Sequence, residues 1–348
     1  INDGALQNTY TFKVTVVPTP NYYWGILAGS PSGTSGSTNA TGTSATFLSP
    51  SGIVRDSQGN FFVADGGNHT IRKITPSGVV TTFVGTPGAF GSANGTGSAA
   101  RFNSLEGLAI DAQDNIYVAD WGNHLVRMVT PAGVVTTLAG VAGSAGGMDG
   151  TATTATFNRP TGIAVTPTGV VYVSDRSGHT IRKIENGVVS TVAGLYNTSG
   201  NVDAVGTAAR FNQPCYMSYQ SDNSLLIRDY SNTGAIRRFD LATSQVTTVV
   251  PGGATIAGQA QITPQGFMVG SLASPHSLSV ISSFDTAAFA GSSTPGSVLG
   301  VNNTATFNNI YGVLPLSDGN IVLTSVSANN IRVGTPIPSL ANPGKQVV

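Results

Sequence analysis

Three variants of one phrase decide the fold of this chain. The phrase reads "VADGGNHTIRKI" at residues 63–74, "VADWGNHLVRMV" at 118–129 and "VSDRSGHTIRKI" at 173–184. Each copy joins two short runs of β-branched or aliphatic residues through a polar turn that contains glycine, which is typical of two paired strands. Copies at a fixed interval predict a fold made by repeating one supersecondary unit.

Two landmarks give the length and the number of the repeats. The histidines of the phrase stand at positions 69, 124 and 179, which are 55 residues apart. A second landmark, "ATF" or "ARF", occurs at Phe47, Phe102, Phe157, Phe211 and Phe307. The last interval, of 96 residues, holds two shorter units, because residues 260–291 align with residues 163–194. The sequence therefore predicts six units.

Each unit is predicted to form four short strands. In the third unit they are "TGIAVT", "VVYVSD", "TIRKI" and "VVSTVAG", and no stretch of the chain shows sustained helical periodicity. Four strands repeated six times predict an all-β fold, a six-bladed β-propeller with four-stranded blades.

The two ends of the propeller are predicted to share a blade. The C-terminal unit supplies three strands, and "YYWGILAG" at residues 22–29 matches the fourth strand "VVTTLAG" at 134–140. We therefore expect an N-terminal strand to complete the C-terminal blade. The predicted domains are an extension at 1–20, the propeller at 21–335 and a tail at 336–348.

The phrases with "NH", a hydrophobic residue and then Arg, together with blades that end in "AG", resemble NHL-repeat propellers. The linkers "GMDGTATTATFNRPTGIAV" and "GNVDAVGTAARFNQP" resemble those of bacterial secreted or cell-surface members. The resemblance covers about residues 22–334 and is strongest in the first three full units. It implies a binding or scaffolding role in most relatives and lyase or hydrolase activity in a minority.

The composition limits the classes of binding partner and the cellular location that the sequence predicts. Only 9% of the 348 residues are charged, with 16 Lys and Arg against 16 Asp and Glu, so no basic field favours nucleic acid or anionic lipid. No apolar run reaches the roughly 20 residues of a membrane helix. The abundance of Gly, Ser, Thr, Ala and Asn favours a secreted or cell-surface protein, whose partner would be protein or a surface glycan.

The repeated histidines are predicted to be structural. Zinc ligands lie about 2 Å from one ion, whereas equivalent positions on adjacent blades are expected roughly 10 Å apart, given strand spacings of about 4.8 Å. We expect each histidine to close its own turn by hydrogen bonding. The Asp that ends each second strand should pair with the Arg of the third, as Asp65 would with Arg72, because a buried charge needs a partner. Asp149 and Asp203 in the linkers are assigned to turns, and no metal or cofactor is predicted.

One face of the propeller is the predicted binding face. The inter-blade loops 86–101, 141–156 and 195–210 are long, and they share a face with the turns between second and third strands. Long loops on a rigid scaffold usually carry recognition. The candidate ligand-binding residues on this long-loop face are Trp121, Arg176 and Tyr230. Exposed aromatic side chains suit sugar stacking or a protein contact, and the alternative is that they pack beneath the loops.

Residues 1–20 contain a further strand pattern. In "TYTFKVTVV" at 9–17 apolar and polar residues alternate, and "PTP" at 18–20 separates this segment from the propeller. The pattern resembles the last strand of an immunoglobulin-like domain. The candidate assembly residues are Tyr10, Phe12, Val14 and Val16. Donation of such a strand to a neighbouring subunit would build a filament if it does not close.

Three functions are compatible with these features. The first is a non-enzymatic structural or adhesive propeller outside the cell that self-assembles through residues 1–17. The second is a carbohydrate- or peptide-binding module that uses the long-loop face. The third is an enzyme with a metal in the central channel, which needs His, Asp or Glu on the first strands. Only Asp56 and Asp111 are identified there, both next to turns, so we expect no catalytic residues.

Overall fold

The computed structural model describes residues 22–230, 234–250, 305 and 307–337 in full, and between 256 and 301 it gives the backbone of five strands alone. The predicted tail beyond residue 337 lies outside the described residues. The same holds for the candidate assembly residues Tyr10, Phe12, Val14 and Val16.

The described chain is built from short strands. The first half of them, in chain order, are β1 (Tyr22–Ala28), β2 (Ala40–Thr41), β3 (Pro50–Arg55), β4 (Phe61–Asp65), β5 (Thr70–Ile74), β6 (Val79–Val84), β7 (Gly95–Thr96), β8 (Leu105–Ile110), β9 (Ile116–Asp120), β10 (Leu125–Val129), β11 (Val134–Ala139), β12 (Gly150–Thr151), β13 (Pro160–Val165) and β14 (Val171–Asp175). The second half are β15 (Thr180–Glu185), β16 (Val188–Gly194), β17 (Pro214–Gln220), β18 (Ser224–Asp229), β19 (Ala235–Asp240), β20 (Val246–Val250), β21 (Ile256–Ile262), β22 (Met268–Leu272), β23 (Ser277–Ile281), β24 (Thr286–Ala290), β25 (Gly300–Val301), β26 (Ile310–Pro315), β27 (Ile321–Ser325) and β28 (Asn330–Pro336).

The helical elements of the described residues are single 3-10 turns. They are Gly42–Ser44, Gly66–Asn68, Gly97–Ala99, Trp121–Asn123, Arg176–Gly178 and Gly206–Ala208. Three of them form the polar turn of the repeated phrase, and each of these three is followed by a histidine. Those histidines have φ of 59°, 60° and 60°, in the left-handed region that residues other than glycine rarely adopt.

The strands form six antiparallel sheets, each built mainly from strands that follow one another along the chain. From the inner to the outer strand they are β3-β4-β5-β6-β2, β8-β9-β10-β11-β7, β13-β14-β15-β16-β12, β17-β18-β19-β20, β21-β22-β23-β24 and β26-β27-β28-β1-β25. In the ring, β3 packs against β8, β8 against β13, and β13 against β17. The first strands therefore line the central channel of an all-β propeller, as the sequence predicts.

The prediction of six four-stranded blades needs two corrections. Five blades are established with their side chains, whereas the sheet β21–β24 is described by its backbone pairing only. Four sheets also carry a fifth strand, because the loop that precedes each of these blades adds two residues to its outer edge, as β2 does beside β6. The added strand pairs backbone groups that an outer strand would otherwise leave open.

The apolar core lies between neighbouring sheets. Phe62 of β4 and Val118 of β9, for example, belong to one buried cluster although they come from different blades. In the blade that contains both ends of the described chain, β1 pairs with β28. Trp24 of β1 is fully buried there, with its ring 5.1 Å from that of Phe307 in a T-shaped arrangement. Gly334 faces this ring, and an added Cβ would lie 2.6 Å from it.

Candidate functional site

Each of the clearest repeats contains a buried ion pair that rests on an aromatic ring. Arg127 Nη1 lies 2.9 Å from Asp120 Oδ2, and both side chains are fully buried. The guanidinium lies 5.2 Å from the centre of the Phe102 ring, so the recurring phenylalanine is its platform. The second Asp120 oxygen accepts the Asn103 backbone N–H at 2.8 Å. The other pairs are Asp65–Arg72, Asp175–Arg182 and Asp229–Arg237, at 3.0, 3.5 and 3.1 Å. The predicted pairing within blades is confirmed.

The carboxylates of the long loops also serve these arginines. Asp149 Oδ1 lies 2.7 Å from Arg182 Nη2, and Asp203 Oδ1 lies 2.6 Å from Arg237 Nη2. Asp149 further accepts the backbone N–H of Thr191 at 3.0 Å. The ion pairs of Asp149 and Asp203 therefore hold the long loops to their blades. The sequence predicts only a turn-forming role for these two residues. Within the described ranges, no group of three His, Cys, Asp or Glu side chains could hold a metal ion.

The repeated histidines join neighbouring blades. His69 Nδ1 accepts the backbone N–H of Ser104, which belongs to the next blade, at 3.0 Å. His124 and His179 accept from Arg159 and Gln213 at 3.2 and 3.1 Å. In a blade that lacks the histidine, Asn329 Oδ1 accepts the backbone N–H of Ser49 at 3.0 Å in the same way. Each histidine also closes its own turn, as predicted, through its backbone N–H, which in His69 donates to the Gly66 carbonyl at 3.3 Å. The bond of the side chain across the blade boundary was not predicted.

Replacement of the three histidines by Asn, in His69→Asn, His124→Asn and His179→Asn together, is expected to reduce the sensitivity of the propeller to acid. Burial lowers the pKa of all three histidines, and their Nδ1 can accept a hydrogen bond only when unprotonated. A folded-state pKa below the unfolded value of about 6.5 gives stability that is present above that pH and is lost as the pH falls. Asn tolerates the left-handed backbone and accepts at any pH.

The comparison is made by urea unfolding at pH 7.5 and pH 5. The free energy of unfolding of the variant should gain about 1 kcal/mol relative to the native chain between these two pH values, the order of one net hydrogen bond. The raised pKa values of the buried aspartates are common to both proteins and cancel in the difference. A pH-independent difference would show that these hydrogen bonds do not respond to histidine protonation.

The long loops and the turns of the phrase meet on one face. Gly122 of the turn donates its backbone N–H to the carbonyl of Asn103 at the end of a long loop, at 2.8 Å. Trp121 lies on this face, where the Arg159 guanidinium stacks on its ring at 5.0 Å. Arg176 stacks on the ring of Tyr230 at 4.5 Å. The three predicted ligand-binding residues therefore lie on the long-loop face, in two arginine–aromatic stacks.

A cavity of about 280 Å³ opens on this face. Its lining includes Ser49, Ser51, Glu106, Trp121 and Tyr311. These residues come from the first strands, which line the channel, and from the turns of the phrase that surround it. The cavity, which we call the mouth pocket, therefore lies where three neighbouring blades meet beside the central channel.

Glu106 is the carboxylate of the mouth pocket. It lies on β8, the first strand of its blade, and its Oε2 accepts the hydroxyl of Tyr216 at 3.2 Å. The Tyr216 ring lies 5.3 Å from that of Tyr311. Burial raises the pKa of Glu106, while the Tyr216 hydroxyl and the charge of Arg176 act in the opposite direction. Burial also raises the pKa of Tyr216 well above its ordinary value, so its hydroxyl remains a donor at neutral pH.

Tyr216 closes the channel beneath the mouth pocket. Four other blades have glycine at the equivalent position, namely Gly52, Gly107, Gly162 and Gly312. An added Cβ at Gly52 would lie 2.6 Å from the Glu106 carbonyl oxygen, so the ring has no room for a side chain there. Tyr216 fits at φ 30°, a strained value for a bulky residue, and such strain is concentrated at functional sites. At this level a volume of only about 10 Å³ remains, so the mouth pocket has a floor.

Sequence reasoning missed both Glu106 and Tyr216. The first strand of the second blade begins at Leu105, ahead of the run "GLAID", and therefore includes Glu106. Alignment of the first strands carries the signal: in "PSGI", "LEGL", "PTGI", "PCYM" and "IYGV" a Glu stands where the others have Ser, Thr, Cys or Tyr, and a Tyr stands where the others have Gly. Asp56 and Asp111 lie in the short turns after the first strands and accept hydrogen bonds from Asn60 and Asn115 at 2.7 and 3.0 Å.

Three segments of the chain match the NHL repeat, at residues 47–74, 102–127 and 157–184. NHL repeat-containing protein 2 of Bos taurus is 34% identical over 160 residues, which are 42% of this chain and 22% of that protein. Teneurin-3 of Mus musculus is 28% identical over 216 residues, which are 54% of this chain and 8% of that protein. The chain thus matches about a fifth or less of the length of these relatives.

Solved structures share the fold at low sequence identity. A Bacteroides thetaiotaomicron protein of unknown function superimposes with a TM-score of 0.67 and 17% identity, covering 90% of this chain and 76% of that one. A streptogramin B lyase gives a TM-score of 0.58 and 14% identity, covering 91% and 98%. No helix among the described residues has the length and apolar character needed to cross a membrane. The chain is therefore a β-propeller that carries NHL repeats.

Proposed function

We propose that this propeller is a non-enzymatic carbohydrate-binding module whose ligand occupies the mouth pocket. The observation that carries the proposal is Glu106, which accepts a hydrogen bond from Tyr216 and lines a cavity of about 280 Å³. Ligand pockets of proteins start at about 300 Å³, so this one suits a single sugar ring rather than a large ligand.

The lining of the mouth pocket has the chemistry that a sugar needs. The Glu106 carboxylate accepts hydrogen bonds, and sugar hydroxyls are donors that can bridge to it. Tyr311, and the part of the Trp121 ring that Arg159 does not cover, supply aromatic walls for the apolar C–H faces of a ring. Tyr216 seals the floor, so a ligand enters and leaves on the long-loop face alone.

The lining of the mouth pocket supports binding in preference to catalysis. Among the described residues Glu106 is its one carboxylate, and no histidine, lysine or cysteine lines the pocket beside it to form an acid–base or nucleophile–base pair. The streptogramin B lyase shares the fold at 14% identity, which carries no information about chemistry.

The setting of the module is part of the proposal. The low charge and the richness in Gly, Ser, Thr and Asn favour a secreted or cell-surface protein of the bacterial type. The backbone of β21 packs between β17 and β26, which favours a ring of six blades. A surface glycan is then the expected source of the sugar.

The test is binding of the full chain to an array of glycans, with Glu106→Gln and Trp121→Ala as variants. We expect the native chain to bind a subset of glycans and both variants to lose at least about tenfold in affinity, the value of one hydrogen bond to a charged group. Phe90→Ala is the matched control, because Phe90 is 70% exposed on a long loop and outside the pocket lining. Retention of binding by both pocket variants, or binding to peptides alone, would reject the proposal.

Self-association is a second candidate, and the alternating residues Tyr10, Phe12, Val14 and Val16 favour it. β1 begins on the face opposite the mouth pocket, because the Tyr22 hydroxyl donates to the Gly319 carbonyl in a short turn at 3.1 Å. A self-associating and adhesive protein could therefore also bind a ligand. Light scattering of the chain with and without residues 1–17 tests this: large assemblies that become monomers on truncation support it, and two monomers reject it.

A further inference from the structure

We propose that the sugar bound in the mouth pocket is acidic, with a carboxylate that Arg159 and Arg176 hold while Glu106 accepts hydroxyls of the ring. This inference rests on the proposed function and narrows it to a class of ligand, the uronic acids and saccharides that end in one. It is carried by the contrast between these two arginines and the buried arginines of the third strands.

In the four blades that have the repeated Asp, the arginine of the third strand forms an ion pair with a carboxylate. Arg72, Arg127, Arg182 and Arg237 each lie within 3.5 Å of a carboxylate. Neither Arg159 nor Arg176 forms an ion pair with any residue that the structure describes. Arg159 is exposed, and the Arg176 side chain donates to the neutral Gln213 side chain at 3.3 Å. The Arg176 charge acts on Glu106, but no carboxylate of the described chain lies within ion-pair distance of either guanidinium.

The aromatic rings at the rim fix these two guanidinium groups. Arg159 lies 5.0 Å from the Trp121 ring centre and Arg176 lies 4.5 Å from that of Tyr230. A guanidinium stacked on a ring leaves its N–H edges free to bind a carboxylate in a fork. The backbone joins the two residues, because the Arg176 N–H donates to the Arg159 carbonyl at 3.3 Å.

The same stacking argues against a cationic ligand. An aromatic cage binds a cation through open ring faces, but guanidinium groups already occupy faces of both Trp121 and Tyr230. Glu106 is the one carboxylate in the pocket lining, and the Arg176 charge is close enough to lower its pKa. The site therefore combines one half-buried acceptor with two cations on the same face, and a ring with hydroxyls and a carboxylate matches both.

The test compares two pairs of sugars that differ in one group: D-glucuronate with D-glucose, and D-galacturonate with D-galactose. Binding is followed by saturation-transfer NMR and titration calorimetry on the full chain. We expect at least one acid to bind about tenfold more tightly than its parent sugar, as one charge-assisted contact predicts, and the preference should weaken with added salt.

The variant Arg159→Met with Arg176→Met should remove this preference while the neutral sugar binds as before. Arg210→Met is the matched control, because Arg210 also lies on the long-loop face but donates to the carbonyls of Thr207 and Ala209. Equal binding of acid and parent sugar would overturn this inference and leave the proposed function standing. An acid preference that survives in the double variant would also overturn it. Binding of none of the four sugars would count against both proposals.

Discussion

Arg127→Ala should lower the free energy of unfolding by about 3–5 kcal/mol, which is the usual result of removing one partner from a buried ion pair. Arg127 and Asp120 are both fully buried at 2.9 Å, so the substitution leaves a carboxylate without its cation in the interior. It also removes the side chain that covers the Phe102 ring. Urea unfolding followed by fluorescence measures the change.

The pH dependence of this loss tests its cause. Burial raises the pKa of Asp120 to about 6 in the native chain, against the opposing charge of Arg127. Without Arg127 the pKa of Asp120 should rise further. A folded-state pKa above the unfolded value means that the folded state binds protons more tightly, so stability increases as the pH falls toward the unfolded pKa. The defect of the variant should therefore be smaller at pH 5 than at pH 7.5.

Arg238→Ala is the control for this experiment. Arg238 pairs with Asp222 at 2.8 Å, but both side chains are exposed by a third to a half. Such surface pairs contribute about 1 kcal/mol or less. A loss in Arg127→Ala as small as the loss in Arg238→Ala would contradict the role we assign to the buried pair.

Trp24→Ala should destabilise the propeller by about 3–5 kcal/mol, the range for removing a large aromatic side chain from a core. Trp24 is fully buried on the strand that joins the two ends of the described chain, and its ring contacts that of Phe307. The loss should appear in the midpoint of thermal unfolding. It should also appear as faster proteolysis, because the closing blade would open first.

Tyr23→Ala is the matched control on the same strand. Tyr23 is 53% exposed and points to the opposite side of the sheet, so its removal should cost little. Gly334→Ala should also destabilise the propeller, because an added Cβ would lie 2.6 Å from the Trp24 ring and would clash with it. If Trp24→Ala unfolds at the same temperature as Tyr23→Ala, the closing strand is not needed for stability.

The sequence predicted what the repeats have in common. The propeller and the pairing of Asp120 with Arg127 follow from residues that recur every 55 positions. The partner of a histidine could not be predicted in this way, because a spacing along the chain does not say whether a side chain turns toward its own blade or the next one. His69 and Ser104 are 35 residues apart and meet only because neighbouring blades pack.

The candidate site consists of departures from the repeat, which is why it was missed. Glu106 stands where the aligned units have Ser, Thr, Cys or Tyr, and Tyr216 stands where they have Gly, so residues shared between units do not reveal either of them. Their convergence depends on the ring: Glu106 lies on β8 and Tyr216 on β17, two blades apart, and their side chains meet in a hydrogen bond of 3.2 Å. Trp121, Arg176 and Tyr230 were predicted to lie on the right face, but their pairing with Arg159 and with one another was not predicted.

The bonds between blades have a consequence for how this protein can change. His69 accepts the backbone N–H of Ser104, His124 accepts that of Arg159, and His179 accepts that of Gln213. None of these hydrogen bonds uses the side chain of the donor residue. Assembly of the ring therefore does not use the donor side chains themselves. The donor backbones have φ of 56°, 61° and 61°, in the left-handed region that disfavours β-branched residues, and proline has no N–H to donate. Ser104 lines the mouth pocket, and Arg159 stacks on Trp121, which also lines it. Within these backbone limits, evolution or an engineer can exchange the side chains to suit a new ligand while the bonds between the blades stay in place.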